Sequence, residues 1–443
     1  ESMHRIESAL HECGYMMPRR KVVINLAPAD IRKEGSAYDL PLAICLLSVS
    51  EQIGEIDTSQ YFIMGELSLD GSVLPVKGVL SMALLAKRMG MRAIFVPLEN
   101  AREAAIVKDL DVYGVAHLRD MIAHFISEPL KAIKVDLEAL FAKEDSEFAY
   151  DFQDVKGQEG IKRAMEIAAA GSHNAILIGP PGAGKTMLAK RLPSILPPLT
   201  LEEALETTRL HSVAGKLQAN QTLITKRPYR SVHHTISDIG LVGGGAHPQP
   251  GEISLAHHGV LFLDELPEFK RVVLEVLRQP MEERRITISR ARFNVEFPAN
   301  FMLVSAMNPC PCGYFNHPER ACVCGSAVVQ RYLNRISGPL MDRIDLHVEV
   351  TPVPFKELES RQAGENSATI RARVIKARQI QQNRFVGKGL YANAQMSAAQ
   401  LKEYVQLDEA CASLLRQAMQ RLSLSARAYD RILKVTRTIA DLE

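Results

Sequence analysis

Residues 175 to 186 read AILIGPPGAGKT, and this stretch decides the fold. Four apolar residues without alternation run into G-x-x-x-x-G-K-[ST], and a helical segment, TMLAKRL, follows. A strand covered on both faces has no reason to alternate, so AILI reads as a central strand of a parallel sheet. Gly179, Gly182 and Gly184 let the backbone turn tightly around Pro180, Pro181 and Ala183, so that amide hydrogens converge on phosphate oxygens at a helix N-terminus. Lys185 is placed to reach the β- and γ-phosphates of ATP, and the Thr186 hydroxyl to bind Mg²⁺. The alternative is a glycine-rich loop without a ligand.

Two further apolar runs repeat the signature, VLFL at 260–263 and FMLVSA at 301–306. The first leads into Asp264 and Glu265, which places two carboxylates at the carboxyl edge of the sheet, where open α/β folds hold their ligands. Asp264 is expected to hold the metal through water, and Glu265 to orient and deprotonate an attacking water. A solvated acidic turn is the other reading. The second run delivers Asn308 to the same edge, where a neutral amide can hold water or a γ-phosphate without adding charge; an Asn opening a turn before Pro309 is equally common.

The fold class that follows is α/β, a P-loop parallel sheet with a helical part after it and an α+β domain before it. Strand-like VVINL (22–26), YFIMGEL (61–67) and AIFV (93–96) alternate with helix-like LPLAICLLSV and LSMALLAKRMG, which gives an N-terminal domain over 1–127. Residues 128–150 are charged and weakly patterned, a linker with a short helix, and the α/β core then runs over 151–354. Residues 355–443 read as mainly helical: Ser397 and Gln400 have capping-box spacing, and Tyr429, Ile432, Leu433 and Thr436 form a helical stripe. The ends, Glu1 and TRTIADLE inside a helical pattern, are expected to be boundaries within a longer protein.

Composition narrows the class. With 443 residues, 47% hydrophobic and 23% charged, the chain can bury more than one core. No apolar run approaches the roughly 20 residues that cross a bilayer, and no signal-peptide core opens the chain, so a cytoplasmic location without membrane partners is expected. A net charge of +2 requires any nucleic-acid surface to be a local patch. RRITISRARFNVEF (284–297) alternates like a hairpin and carries Arg284, Arg285, Arg290 and Arg292; read without a family, it is an edge hairpin guarded by arginines.

On these residues the chain resembles the AAA+ ATPases, and within them the magnesium-chelatase-like and MCM-like clade. GPPGAGKT is similar to Walker A, VLFLDE to Walker B, and Asn308 to sensor 1. The resemblance implies that Arg343 in SGPLMDRIDLHVEV is an arginine finger serving a neighbouring subunit. It implies that Arg427 is sensor 2, at the start of a lid helix. Read without the family, Arg343 between Asp342 and Asp345 is a surface ion pair, and Arg427, Arg431 and Lys434 are a solvated helix face. RPYRSVHHTISDIGLVGGGAHPQPGEISLAHHG resembles the helix-2 insertion of this clade, and the 284–297 segment its pre-sensor-1 hairpin. There, Arg290 and Arg292 would meet DNA backbone phosphates in the pore of a hexamer.

The N-terminal domain resembles the Lon-protease-like domain (ribosomal S5 domain 2-like), with Ala37 at the serine position and Leu80 at the lysine position. Neither side chain can act as nucleophile or base, so a non-proteolytic domain is implied; Ser36 lies one residue away. Domain order and motifs together resemble the YifB/ComM family. That resemblance implies a hexameric, Mg²⁺-dependent DNA motor that drives branch migration on branched or single-stranded DNA. The alternative is a chelatase-type ATPase subunit that powers metal insertion into a tetrapyrrole through a protein partner.

NPCPCGYFNHPERACVCG (308–325) carries four of the seven cysteines as two C-x-C pairs, Cys310 with Cys312 and Cys322 with Cys324. Two thiolate pairs joined by a nine-residue loop can close a tetrahedral Cys₄ site suited to structural Zn²⁺. The spacing differs from the commoner C-x₂-C, and a redox-inert, thiol-rich turn is the alternative.

Overall fold

The computed structural model describes residues 2–27, 35–142, 148–218, 221–245, 248–290, 293–317, 319–353 and 364–443. They form two compact units, Glu1–Asp145 with Leu201–Thr225, and Ser146–Thr200 with Lys226–Glu443.

In the first unit a three-stranded parallel sheet runs β1 (Tyr61–Ile63), β2 (Ala93–Pro97), β3 (Asp111–Val115), with β2 in the middle and buried along its length. Helices α1 (Ser2–Glu12), α2 (Asp39–Val49) and α3 (Val79–Arg88) belong to the same unit. The sequence of α2 is apolar nearly all round, and the helix is correspondingly a core element: Leu40, Ile44 and Leu47 are fully buried. Its one buried charge, Asp39, is paired with Arg5 Nε at 2.7 Å. Phe95 of β2 stacks on Tyr113 and meets Tyr61 edge-on.

Residues 22–26, expected as a strand, form no ladder among the described residues, and Val23 is 80% exposed. β-propensity without a pairing partner does not make a strand. YFIMGEL breaks after Ile63 and resumes as a two-residue strand at Glu66. The helix Leu201–Val213 packs on α3 of this unit, where Gly78 N donates to Ser212 O and Arg209 Nε to Ser81 Oγ, both at 3.2 Å.

The second unit contains β4 (Ala175–Ile178), β5 (Tyr229–Val232), β6 (Val260–Leu263), β7 (Arg285–Arg290), β8 (Phe293–Pro298), β9 (Met302–Met307) and β10 (Leu346–Glu349). Five of these make one parallel sheet in the order β10-β4-β9-β6-β5, and β7 pairs with β8 as an antiparallel hairpin. Every residue of β6 and β9 is buried, as the unbroken apolar runs require. Helices α4 (Glu159–Gly171), α5 (Lys185–Arg191), α6 (Ser326–Leu333), α7 (Ser367–Arg384) and α8 (Ala426–Leu442) surround it. α7 and α8 pack on α4 and on each other. The capping box at Ser397 and Gln400 is formed.

α8 buries Ala428, Leu433, Thr438 and Asp441, so its inner face is rotated from the stripe expected at 429–436, where Thr436 is exposed. The reason is polar: Arg431 donates to Ile344 O at 2.6 Å, Lys434 to Ala394 O at 3.1 Å, and Arg384 clasps the fully buried Asp441. The face expected to be solvated is therefore turned inward except at Arg427. No helix among the described residues is long and apolar enough to cross a membrane.

Phe262 lies on β6, between β9 and β5 in the larger sheet, fully buried, with its ring stacked on Tyr229. Phe262→Ala is expected to destabilise this unit by about 3–5 kcal/mol, read as a fall in the denaturation midpoint.

Candidate functional site

Parallel register builds the site. Ile178 of β4 lies opposite Met307 of β9, and Leu263 of β6 opposite Ser305, so the chain leaves all three strands at one edge through Gly179, Asn308 and Asp264. The loop after β4 needs its glycines for distinct reasons. A Cβ on Gly179 would lie 2.2 Å from Val350 O, so only a bare backbone fits there. Gly182 and Gly184 adopt φ of 79° and 89°, the left-handed region that other residues enter at a cost. Gly184 is the N-cap of α5, which starts at Lys185.

Lys185 Nζ donates to Gly179 O at 2.7 Å, Pro180 O at 2.9 Å and Asn308 Oδ1 at 3.1 Å. Two of these acceptors are carbonyls of the loop itself, and the third is the amide just beyond β9. Burial pulls its pKa below the usual lysine range, against the opposing pull of the Asp264 charge. Thr186 Oγ1 donates to Asp264 Oδ2 at 2.7 Å, and Asp264 Oδ1 accepts the Glu265 amide at 3.0 Å. A hydroxyl and a carboxylate held together beside a phosphate-type loop are hard oxygen donors of the kind Mg²⁺ takes, so the residues fit that ion. Burial, with the nearby Asp264 charge, raises the Tyr229 hydroxyl well above its ordinary range.

Glu265 follows with φ 53° and ψ 48°, left-handed in a non-glycine residue. Such a backbone persists only where surrounding structure imposes it, and it aims the Glu265 side chain differently from that of Asp264. Its Oε2 sits 3.3 Å from His234 Nδ1. His234 was not singled out from sequence. The signal available was only the double histidine just after β5, the neighbour of β6 in the sheet.

The remaining expected residues are placed elsewhere. Arg343 precedes β10 at the amino edge of the sheet, where its carbonyl accepts from Asn174 Nδ2 at 3.0 Å. The length of β4, roughly 13 Å, separates that edge from the phosphate-type loop. The Arg343 guanidinium is paired with Glu282, not with Asp342 or Asp345, and donates to Pro339 O at 2.6 Å. Arg427 is exposed in the first turn of α8.

In the hairpin, Arg284 turns inward to Asn300 Oδ1 at 2.6 Å, and burial, opposed by Asp345, brings its guanidinium down to about 10. Arg285 pairs with Glu296 at 3.6 Å. Arg292 lies outside the described residues, and of Arg290 only the backbone, paired with Phe293, is described. In the N-terminal unit Leu80 is buried, and the Ser36 hydroxyl donates to the Glu66 carboxylate. Cys310, Cys312, Cys322 and Cys324 converge, with all four sulfurs within 4.8 Å of one another.

Comparison with known proteins matches three family models along the chain: magnesium chelatase, subunit ChlI, over residues 151–358; subunit ChlI of Mg-chelatase over 1–100; and the subunit ChlI C-terminal region over 364–443. YifB of Salmonella typhimurium is 44% identical over 450 residues, covering 100% of this chain and 85% of that protein. The competence protein ComM of Haemophilus influenzae is 42% identical over 449 residues, covering 100% of this chain and 86% of its own. Lon protease 2 of Bacillus subtilis is 29% identical over 244 residues, which are 48% of this chain and 40% of that protein. With the phosphate-type loop, the acidic strand end and the Asn308 amide gathered on one sheet edge, these matches place the chain in the Mg-chelatase-like family of AAA+ ATPases, in the group that contains YifB and ComM.

Proposed function

We propose that this protein is a ring-forming ATPase, a hexamer by family resemblance, that uses ATP hydrolysis to move along or remodel branched or single-stranded DNA. The observation that carries the hydrolytic part is the pair of hydrogen bonds, Lys185 to Asn308 and Thr186 to Asp264, that joins the first turn of α5 to the carboxyl ends of β9 and β6. Lys185 exchanges its loop carbonyls for phosphate oxygens when nucleotide enters, and loop amides at the start of α5 take the rest of the phosphate charge. Thr186 and Asp264 are the residues that would hold Mg²⁺. That ion, when bound, neutralises charge on the β- and γ-phosphate oxygens. Glu265 takes the proton of the attacking water, and Asn308 holds the far side of the γ-phosphate without competing for that proton.

The DNA part is supported by the whole-chain similarity to a competence protein and by the arginine-rich hairpin sequence. The position of Arg343 at the sheet edge remote from its own loop suits a residue that serves a neighbouring subunit. The match of three ChlI models favours a second reading, an ATPase subunit that drives metal insertion into a tetrapyrrole. Turnover stimulated by branched or single-stranded DNA supports the first, and turnover indifferent to every DNA but stimulated by a chelatase partner the second. The N-terminal unit is read as non-proteolytic, since Leu80 offers no base and the Ser36 hydroxyl is bound to a carboxylate.

Lys185→Ala is expected to abolish nucleotide binding. Glu265→Gln is expected to bind ATP and turn over about 10²–10⁴-fold more slowly, and phosphate release at the unmodified rate would remove Glu265 as the base. Arg343→Ala alone is expected to lose about 10³-fold in turnover, and mixing it with Lys185→Ala chains to restore part of it. No recovery in demonstrated mixed rings would return Arg343 to a structural ion pair. Arg290→Ala with Arg292→Ala is expected to weaken DNA binding alike for all sequences and to reduce the log–log salt slope by about 1 per lost phosphate contact. An unchanged slope in folded protein would move the contact off the hairpin.

A further inference from the structure

The loop that follows Asn308 carries a second centre, separate from the hydrolytic cluster. Cys310 Sγ lies 3.3 Å from Cys312 Sγ and 3.7 Å from Cys322 Sγ, and the last two are 3.5 Å apart. All four sulfurs, Cys324 included, fall within 4.8 Å of one another, and none is in a disulfide. Zn–S bonds of about 2.3 Å in a tetrahedron set sulfurs about 3.8 Å apart, close to this spacing. The chain's other three cysteines, at 13, 45 and 411, do not join the group.

Local structure favours metal over a thiol-rich turn. The Cys324 amide points at Cys322 Sγ at 3.4 Å, and the Gly313 amide closes a turn back onto Cys310 O at 2.9 Å. Amide hydrogens aimed at sulfur support thiolates in metal sites. The loop between the pairs is braced separately, with Arg320 lying over the Tyr314 ring and donating to its hydroxyl at 2.8 Å. Four polarisable sulfurs packed this closely without a cation would repel as thiolates, and Cys310 is fully buried.

We propose that Cys310, Cys312, Cys322 and Cys324 bind one Zn²⁺ in a closed structural site, and that this site steadies the phosphate-type loop. The second half rests on the nucleotide reading above and on one contact: the Gly313 turn, inside the cysteine segment with φ 85°, abuts Pro181, whose Cδ would lie 2.5 Å from any Cβ there. Metal held by Cys310 and Cys312 thus fixes the turn that presses on Pro181, while Asn308, two residues before Cys310, meets Lys185. Zinc takes no part in hydrolysis.

Elemental analysis of the 443-residue chain, purified without chelator, is expected to give about one zinc per chain. Less than about 0.1 zinc per chain, both as purified and after incubation with Zn²⁺, overturns the site, and stoichiometric iron overturns the choice of metal. Cys310→Ser with Cys322→Ser is expected to lose the zinc and lower thermal stability; full zinc content in that variant rules these ligands out. Should the variant not fold, a mercurial titration of the unsubstituted protein is expected to release the zinc in step with four thiols. Release without thiol modification overturns the ligand set. Zinc-free protein is expected to bind a fluorescent ADP analogue about 3- to 30-fold more weakly. Unchanged ADP affinity after zinc loss overturns the link to the loop but not the site, and zinc content itself is read without reference to nucleotide.

Discussion

The parallel register of β4, β9 and β6 is the constraint on which the site depends. Central strands buried on both faces can carry almost no polar side chains, so the chemistry is pushed to their ends. Because Ile178 pairs with Met307, Gly179 and Asn308 emerge side by side, and because Leu263 pairs with Ser305, Asp264 leaves the same edge two residues earlier. Lys185 and Thr186, in the first turn of α5, then face Asn308 and Asp264 across hydrogen bonds of 3.1 and 2.7 Å.

The opposite edge of the sheet is organised by Asn174. Its side chain donates to Arg343 O and accepts from Leu303 N at 2.8 Å, while its carbonyl receives Asp345 and Leu346. The adjoining His173, fully buried, bridges Asp345 Oδ2 and Thr438 Oγ1, which ties this edge to α8. From there Asn393, Arg384 and Asp441 extend the network into α7. Breaking one partner of a buried ion pair costs about 3–5 kcal/mol, so helices α7 and α8 are held to the sheet by polar geometry as well as by apolar packing. Arg343 and the helix carrying Arg427 are thereby mounted on the same sheet as the glycine-rich loop.

Strain and pairing single out Glu265. It accepts a left-handed backbone while Asp264 beside it is fixed by Thr186, so two successive carboxylates have different partners: Thr186 for one and His234 for the other. That division suits one residue beside a metal and one beside water.

The sequence by itself determined the glycine-rich loop with its lysine, the three buried strands, the acidic strand end, the basic hairpin pattern and the cysteine pairs, because each is a local pattern tied to backbone geometry or side-chain chemistry. Tertiary structure alone decided the rest. The run at 22–26 has the composition of a strand and no ladder, since pairing needs a partner that composition does not specify. The helix Leu201–Val213 follows the glycine-rich loop in sequence yet packs with the first unit, where Ser212 O accepts from Gly78 N and Arg209 donates to Ser81. Arg431 and Lys434 look like a solvated face until carbonyls of Ile344 and Ala394 turn them inward. His234 beside Glu265 and Glu282 beside Arg343 are contacts between distant segments, and a one-dimensional pattern fixes which residues are charged without fixing which charges meet.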